Sequence, residues 1–239
     1  MSRSNEYFAP GDQRAAKVNA LFSSIAPRYD RINDLQSFGL HRRWKRRVVE
    51  LAAVKPGERA LDVCCGTGDL ATALASDGAE TVGLDFNAPM LDVARSRKNA
   101  ASVRFVQGDA QQLPFSDSAF DVVTVGYGLR NLASWEAGLR EMVRVARPGA
   151  RLLVLDFGKP ANPFWRAVYF GYLRLCVPVF GLIFCRNAAA YAYILESLKH
   201  YPAQSGVEAR MRELGLTSIR VENILGGAMS INFGQKPLR

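Results

Sequence analysis

Through the middle of the chain, short apolar runs closed by an acid or a glycine alternate with stretches whose apolar positions recur at helical spacing. The run Leu61-Asp62-Val63-Cys64-Cys65 predicts a buried strand entering the turn Gly66-Thr67-Gly68, followed by a helix over 70–75. A second strand is expected over 81–86, closed by Asp85, a third over 103–110 with Asp109 near its end, and a fourth over 120–126. The turn Arg147-Pro148-Gly149 leads to a fifth strand over 151–157, and helical periods fill 90–98 and 135–146. Strands alternating with helices predict a mostly parallel sheet with ligands at the carboxyl ends of the strands.

Those strand ends carry candidate chemistry. Gly66 and Gly68 let the backbone turn sharply and approach a ligand that a Cβ would exclude. An acid at the tip of the second strand, Asp85, is placed to hold a ribose diol, and Asp109 to accept from an adenine amino group. The dinucleotide fingerprint needs a third glycine three residues after Gly68; Ala71 stands at that place, so the third glycine of a pyrophosphate cradle is missing. A nucleoside without phosphates, S-adenosylmethionine, suits the shorter turn better than NAD. Two glycines at a strand-to-helix turn also occur for steric reasons alone, and the later acid-ended strands supply the weight.

Composition narrows the picture. A chain of 239 residues, 49% hydrophobic and 22% charged, can bury a full core as one domain. The polar residues 1–20 are expected to be a flexible segment, with the domain over 21–239 and a helical substrate-side insertion at about 160–205. Four cysteines, Cys64, Cys65, Cys176 and Cys185, show no paired CxxC spacing and no histidine cluster, so they read as small buried hydrophobes and no metal is expected. The amino terminus has no apolar h-region, so no secretory signal is expected. Residues 164–185 are strongly apolar, but Arg166, Arg174 and Pro178 interrupt them, which favours a cap helix over a bilayer span.

Much of the local excess in the net charge of +9 sits in His41-Arg42-Arg43-Trp44-Lys45-Arg46-Arg47, on an expected helix. A solvated helix face, nucleic-acid phosphates and anionic lipid headgroups all fit such a run. The apolar stretch at 164–185 favours peripheral contact with an anionic membrane surface over nucleic acid. The oligomeric state stays open between monomer and homodimer.

Two further motifs are more distinctive. Residues 22–34 read Phe-Ser-Ser-Ile-Ala-Pro-Arg-Tyr-Asp-Arg-Ile-Asn-Asp and continue to Ser37-x-Gly39-x-His41-Arg42-x-Trp44-Lys45; after the fourth strand comes Gly126-Tyr127-Gly128-Leu129-Arg130-Asn131. With Ala190-Tyr191-x-Tyr193-x-x-Glu196-Ser197-Leu198, Tyr201-Pro202 and a closing hairpin over 226–236, the chain resembles the ubiquinone/menaquinone biosynthesis C-methyltransferases from about residue 22 to residue 236. It departs from them in two places. Asn232 stands in the last strand where histidine is usual, and Arg186-Asn187 where an acid is common.

The resemblance implies a class I S-adenosylmethionine-dependent methyltransferase: α/β, Rossmann-like, a seven-stranded mixed sheet with a helical insertion between the fifth and sixth strands. It implies C-methylation of a polyprenylated quinol, demethylmenaquinol to menaquinol first. A ubiquinone-pathway benzoquinol or a phytylated naphthoquinol is the alternative. The expected location is cytoplasmic, peripheral on the inner face of the membrane. Catalysis would need a phenolic proton removed, the oxyanion stabilised and the ring aligned. Arg130 is the candidate at the quinol oxygen, Asn131 would orient a water, and Tyr29 would close the site. Around the cofactor, Gly66, Thr67 and Gly68 would pass beneath the methionine part with Asp62 near its amino group. Asp85 would take the ribose hydroxyls, Asp109 and Ala110 the adenine, and Gly126 the floor near the sulfonium. An RNA methyltransferase would share the cofactor motifs and the basic charge, but no RNA-binding module and no amine-binding Asn-Pro-Pro-Tyr-like motif follows the fourth strand. A non-catalytic cofactor-binding scaffold would lack Arg130 and Asp85, and both are present.

Overall fold

The computed structural model describes residues 12–185 and 189–238, with side chains over 16–175 and 195–238. Arg186-Asn187 and the side chains of Cys176, Cys185, Tyr191 and Tyr193 therefore lie outside the described residues. Three helices come first: α1 (Asp12–Ile25), α2 (Tyr29–Ser37) and α3 (Leu40–Ala52). Then strands and helices alternate: β1 (Arg59–Val63), α4 (Asp69–Ser76), β2 (Glu80–Asp85), α5 (Ala88–Arg95), β3 (Val103–Gln107), β4 (Phe120–Gly126), α6 (Trp135–Val145) and β5 (Ala146–Phe157). Helices α7 (Pro163–Cys185), α8 (Ala189–His200) and α9 (Ala203–Glu213) follow, and the hairpin β6 (Thr217–Ile224) and β7 (Met229–Gln235) closes the chain.

The sheet has seven strands in the order β3-β2-β1-β4-β5-β7-β6. All neighbours are parallel except β7, which runs antiparallel to β5 and β6. This is the mixed sheet expected of a class I methyltransferase. Strand order reverses between β1 and β4, so the crevice over their carboxyl ends is where an open α/β sheet takes ligands. Strands covered on both faces read as continuous apolar runs, and from Ala60 to Val63 β1 has no exposed residue. Local signals set the helix starts. Asn87 caps α5 by accepting from the Met90 N–H, and Ser134 caps α6 by accepting from the Ala137 N–H.

Two details differ from the sequence reading, and a third position gains its explanation. Strand β5 begins at Ala146, not 151: Ala146 pairs with Phe120, and the Arg147-Pro148-Gly149 turn becomes an irregularity inside the strand, with Gly149 at φ +79°. The segment to residue 20, expected to be flexible, is helical from Asp12 onward. The reason is the apolar spacing of Val18, Leu21 and Ile25, which bury one face of α1 against Ala26, Ile32, Tyr169 and Leu173. That cluster, with Leu198 of α8, is a small core of its own over the strand ends. Asn232 is buried in β7, where its side-chain amide donates to the Gln204 carbonyl of α9 at 2.8 Å. At this position the asparagine ties a helix to the sheet.

Candidate active site

Strand β1 leaves the sheet through a tight turn. Cys64 and Gly66 both sit at φ +55°, and Gly68 at +83°. A Cβ on Gly68 would lie 2.9 Å from the Phe105 ring, so only glycine fits where the turn enters α4. Asp85, at the end of β2, fixes the turn from across the sheet. Its carboxylate accepts the Gly66 N–H and the Asn87 N–H, each at 2.8 Å. Burial pushes the Asp85 carboxyl above its ordinary value, against the pull of those amides.

Together these strand ends line a cavity of about 520 Å³. Gly66, Asp85, Asp109, Ala110 and Gly126 all stand on its wall, with Tyr29 and Asn131. Helix α1 roofs it through Asn19 and Phe22, so the corrected amino-terminal segment belongs to the site. Asn87 anchors that roof by donating to the Asn19 carbonyl at 2.9 Å and to Ser23 Oγ at 2.7 Å. Two acids on one rim, a glycine floor and apolar Leu84 and Met90 fit a nucleoside carrying a charged amino-acid tail.

Three expected cofactor residues are not on that wall. Thr67 is buried and its hydroxyl donates to Asp30 Oδ1 at 2.7 Å, holding the turn to α2. Gly68 packs beneath Phe105 and Ala94. Asp62 is buried on β1, where Oδ1 accepts from Thr124 at 2.8 Å and Oδ2 has no partner among the described residues. Burial pushes its carboxyl up to about 7. A neighbouring clamp keeps α2, α3 and α4 in place: Arg97 joins Asp30 to Asp69, and Lys45 reaches Asp69 at 2.8 Å.

A second cavity of about 430 Å³ adjoins the first, and Phe22, Tyr29 and Tyr127 line both. Its wall is largely apolar, drawn from α1, α2, α3, α7 and the β6–β7 turn, with Ile25, Ile32, Trp44, Phe157 and Met229 among its residues. Arg130 lies here and not at the nucleoside cavity. It is buried, with Nε on Asp156 Oδ1 at 3.0 Å, one terminal nitrogen on Asn131 Oδ1 at 2.8 Å and Ser197 Oγ at 3.1 Å, and its guanidinium over the Phe157 ring. The ion pair that could explain Arg130 structurally is thus a buried one. Asn131 also donates to the Tyr127 carbonyl at 3.1 Å, so it braces the turn between the two cavities.

Sequence reasoning missed Asp156, although it ends an apolar strand as Asp85 does. It also missed the unpaired polar atoms of the second cavity. Gln36 Nε2, His41 Nδ1, Tyr127 OH and Tyr169 OH are all buried, all on residues lining it, and all without a hydrogen-bond partner among the described residues. Buried polar groups are normally satisfied, so an otherwise apolar cavity with such atoms suits an apolar ligand carrying a few oxygens.

Solved structures agree with the fold. An S-adenosylmethionine-dependent methyltransferase from Thermotoga maritima, described as a possible histamine N-methyltransferase, matches with a TM-score of 0.66 at 20% identity, over 92% of this chain and 99% of that one. The chain thus has the fold of the class I S-adenosylmethionine-dependent methyltransferases. Residues 11–236 match the ubiE/COQ5 methyltransferase family, and the chain belongs to it. It is 44% identical to the ubiquinone/menaquinone biosynthesis C-methyltransferase of Ectopseudomonas mendocina over 95% of this chain and 92% of that protein. The Azotobacter vinelandii protein of the same name is 42% identical, with 95% and 93% covered. The protein is an S-adenosylmethionine-dependent C-methyltransferase of the family whose curated relatives serve ubiquinone and menaquinone biosynthesis.

Proposed function

We infer that the enzyme methylates a ring carbon of a polyprenylated quinol, demethylmenaquinol first, with the ring and the start of its tail in the apolar cavity. The observation that carries this is the shared wall: Phe22, Tyr29 and Tyr127 separate a nucleoside-sized cavity from an apolar one, so the two reactants meet there. S-adenosylmethionine, when bound, supplies an electrophilic methyl group on a sulfonium. Asp85 holds the ribose hydroxyls, Asp109 and Ala110 the adenine, and Gly66 and Gly126 the floor. A quinol oxygen that loses its proton pushes electron density onto the adjacent ring carbon. Arg130, permanently charged, stabilises that oxyanion; its pKa above about 12 makes it a poor proton acceptor. Asn131 and Tyr29 hold the neighbouring wall.

The mouth of the apolar cavity supports a membrane source for the substrate. Phe38, Leu40, Trp165, Val168 and Leu225 line the cavity and are exposed, an apolar rim suited to a lipid surface. Among the described residues no helix is long and apolar enough to cross a membrane; peripheral contact from the cytoplasmic side is part of this reading. Incubation with labelled S-adenosylmethionine and a panel of demethylated naphthoquinols and benzoquinols, with product mass spectrometry, tests the reading. Methylated naphthoquinol is expected; label in no quinol would refute it. Preference for the benzoquinol would move the enzyme to the other quinone.

A further inference from the structure

The proton acceptor is still to be named, and the apolar cavity contains one. His41, in the first turn of α3, is 3% exposed and lines that cavity. The turn before it sets its place: Phe38 and Gly39 take left-handed backbone, at φ +51° and +75°, and redirect the chain from α2 into α3. Asp34 of α2 then meets the ring, with Oδ1 2.9 Å from Nε2. Arg42 donates two further bonds to the same carboxylate, at 2.6 and 2.8 Å, which holds Asp34 ionised far below the usual carboxylate range. A carboxylate facing Nε2 fixes the proton on that nitrogen. Nδ1 is therefore left as a lone-pair acceptor, buried and without a partner among the described residues.

We propose that His41, oriented by Asp34, is the general base that takes the quinol proton through Nδ1. This rests on the quinol reading above. In the step, the phenolic O–H bond breaks, its electron pair stays on the oxygen, and an N–H bond forms at Nδ1. The ring carbon then bonds to the methyl carbon as the methyl's bond to sulfur breaks, its electron pair staying on the sulfur of the departing thioether; the C–H proton the ring sheds on regaining aromaticity is the net proton released to water. The imidazolium returns its proton to the oxygen. Arg130 holds the intervening negative charge, so base and electrostatic stabiliser are separate residues. Burial lowers the His41 pKa below the ordinary 6.5, against the raising influence of Asp34, so the ring is neutral and able to accept at neutral pH. The charged groups around it are Asp34 on α2, Arg42 and Lys45 on its own helix and Asp69 on α4; Tyr29, Tyr127, Tyr169, Tyr172 and Arg130 line the same cavity.

His41→Gln tests the proposal, because a glutamine amide keeps a donor toward Asp34 and supplies no base. The full-length variant and parent are compared on a short-tailed demethylated naphthoquinol, with S-adenosylmethionine affinity and melting temperature measured on the same preparations. Turnover is expected to fall about a hundred- to ten-thousandfold, the range for a general base, with cofactor affinity unchanged. A fluorinated quinol of lower phenol pKa should recover at least tenfold of that loss, since its proton needs no acceptor; a merely structural role would leave the loss the same for both substrates. Turnover within threefold of the parent, or a loss indifferent to quinol acidity, would overturn the assignment. Should the variant not fold, the parent decides: above neutral pH its kcat/KM must stay flat, and a climb that tracks the quinol's own pKa overturns it. A parent that methylates no quinol at all refutes the substrate reading itself, a distinct result.

Discussion

Arg130 grips Asp156 twice: its Nε reaches Oδ1 at 3.0 Å while its own main-chain N–H donates to Oδ2 at 3.3 Å. The side chain that carries positive charge to the apolar cavity is thus fixed to the end of β5 by one carboxylate. Removing one partner of a buried pair leaves an uncompensated charge and costs about 3–5 kcal/mol. Arg130→Ala should therefore lower the melting temperature as well as turnover. The paired change Arg130→Met with Asp156→Leu should recover most of the stability, because similar volumes of apolar side chain replace both charges. Turnover should stay at least a hundredfold down, the scale of one lost oxyanion donor. A double variant with near-parental turnover would make Arg130 a structural residue only.

Asp85 has a similar double duty. Its oxygens already accept the Gly66 and Asn87 amides, so Asp85→Ala loosens the turn as well as removing a ribose acceptor. Affinity for S-adenosylhomocysteine should fall by about 1.5–3 kcal/mol, the range for a charge-assisted hydrogen bond. The ionised carboxylate is the form that accepts, and burial raises its pKa. Affinity in the parent should thus weaken on acidification at a higher pH than an ordinary carboxylate would give. Calorimetry across pH checks both, and an unchanged affinity in the variant would remove Asp85 from the ribose.

The sheet was readable because local pattern decides it. The fourth strand, expected over 120–126, is Phe120–Gly126, and the acids and glycines at the strand ends converge on one cavity because parallel strands present their carboxyl ends together. The apolar cavity was not readable. Its wall joins Ile25, Trp44, Phe157 and Met229 from four distant elements, and no periodicity within one segment signals such an assembly. Helix α1 was missed because Lys17, Asn19, Ser23 and Ser24 interrupt its apolar positions Val18, Leu21 and Ile25, whose burial needs α7 as a partner. His41 read as part of a basic run because its neighbours are basic; only the turn at Phe38-Gly39 faces it inward.

Asp62 gives a pH signature. Its carboxyl, at 3.8 in an ordinary setting, is pushed up to about 7 by burial, so between those values the folded protein binds a proton that the unfolded chain does not. Stability must then fall as pH rises through that window and level off above about 7. Asp62→Asn removes the titration and leaves the Thr124 hydroxyl an amide oxygen to donate to. The variant without cofactor should be more stable than the parent at pH 8, by up to roughly 4 kcal/mol for a shift of this size. Urea melts at pH 5 and pH 8 decide it: equal slopes with pH in both proteins would show that Asp62 is not the titrating group.

Membrane contact should rest more on the apolar rim than on the basic run. Within that run Arg42 is paired with Asp34, Lys45 with Asp69, and Arg47 with Glu50 and Glu222. Arg43 and Arg46 are exposed, with no acid paired to them among the described residues. Each basic residue near an anionic surface adds about 1 kcal/mol that salt screens away, whereas burying a large apolar side chain adds about 1.5–3 kcal/mol that salt leaves intact. Flotation with anionic vesicles should therefore weaken at high salt without vanishing. Phe38→Ser with Leu225→Ser, both exposed at the cavity mouth, should reduce it at least tenfold at either salt concentration while leaving S-adenosylmethionine affinity unchanged. Complete release by salt alone would return the contact to the arginines. Unchanged flotation of the double variant would mean that the rim does not face the lipid and that the quinol enters the cavity by another route.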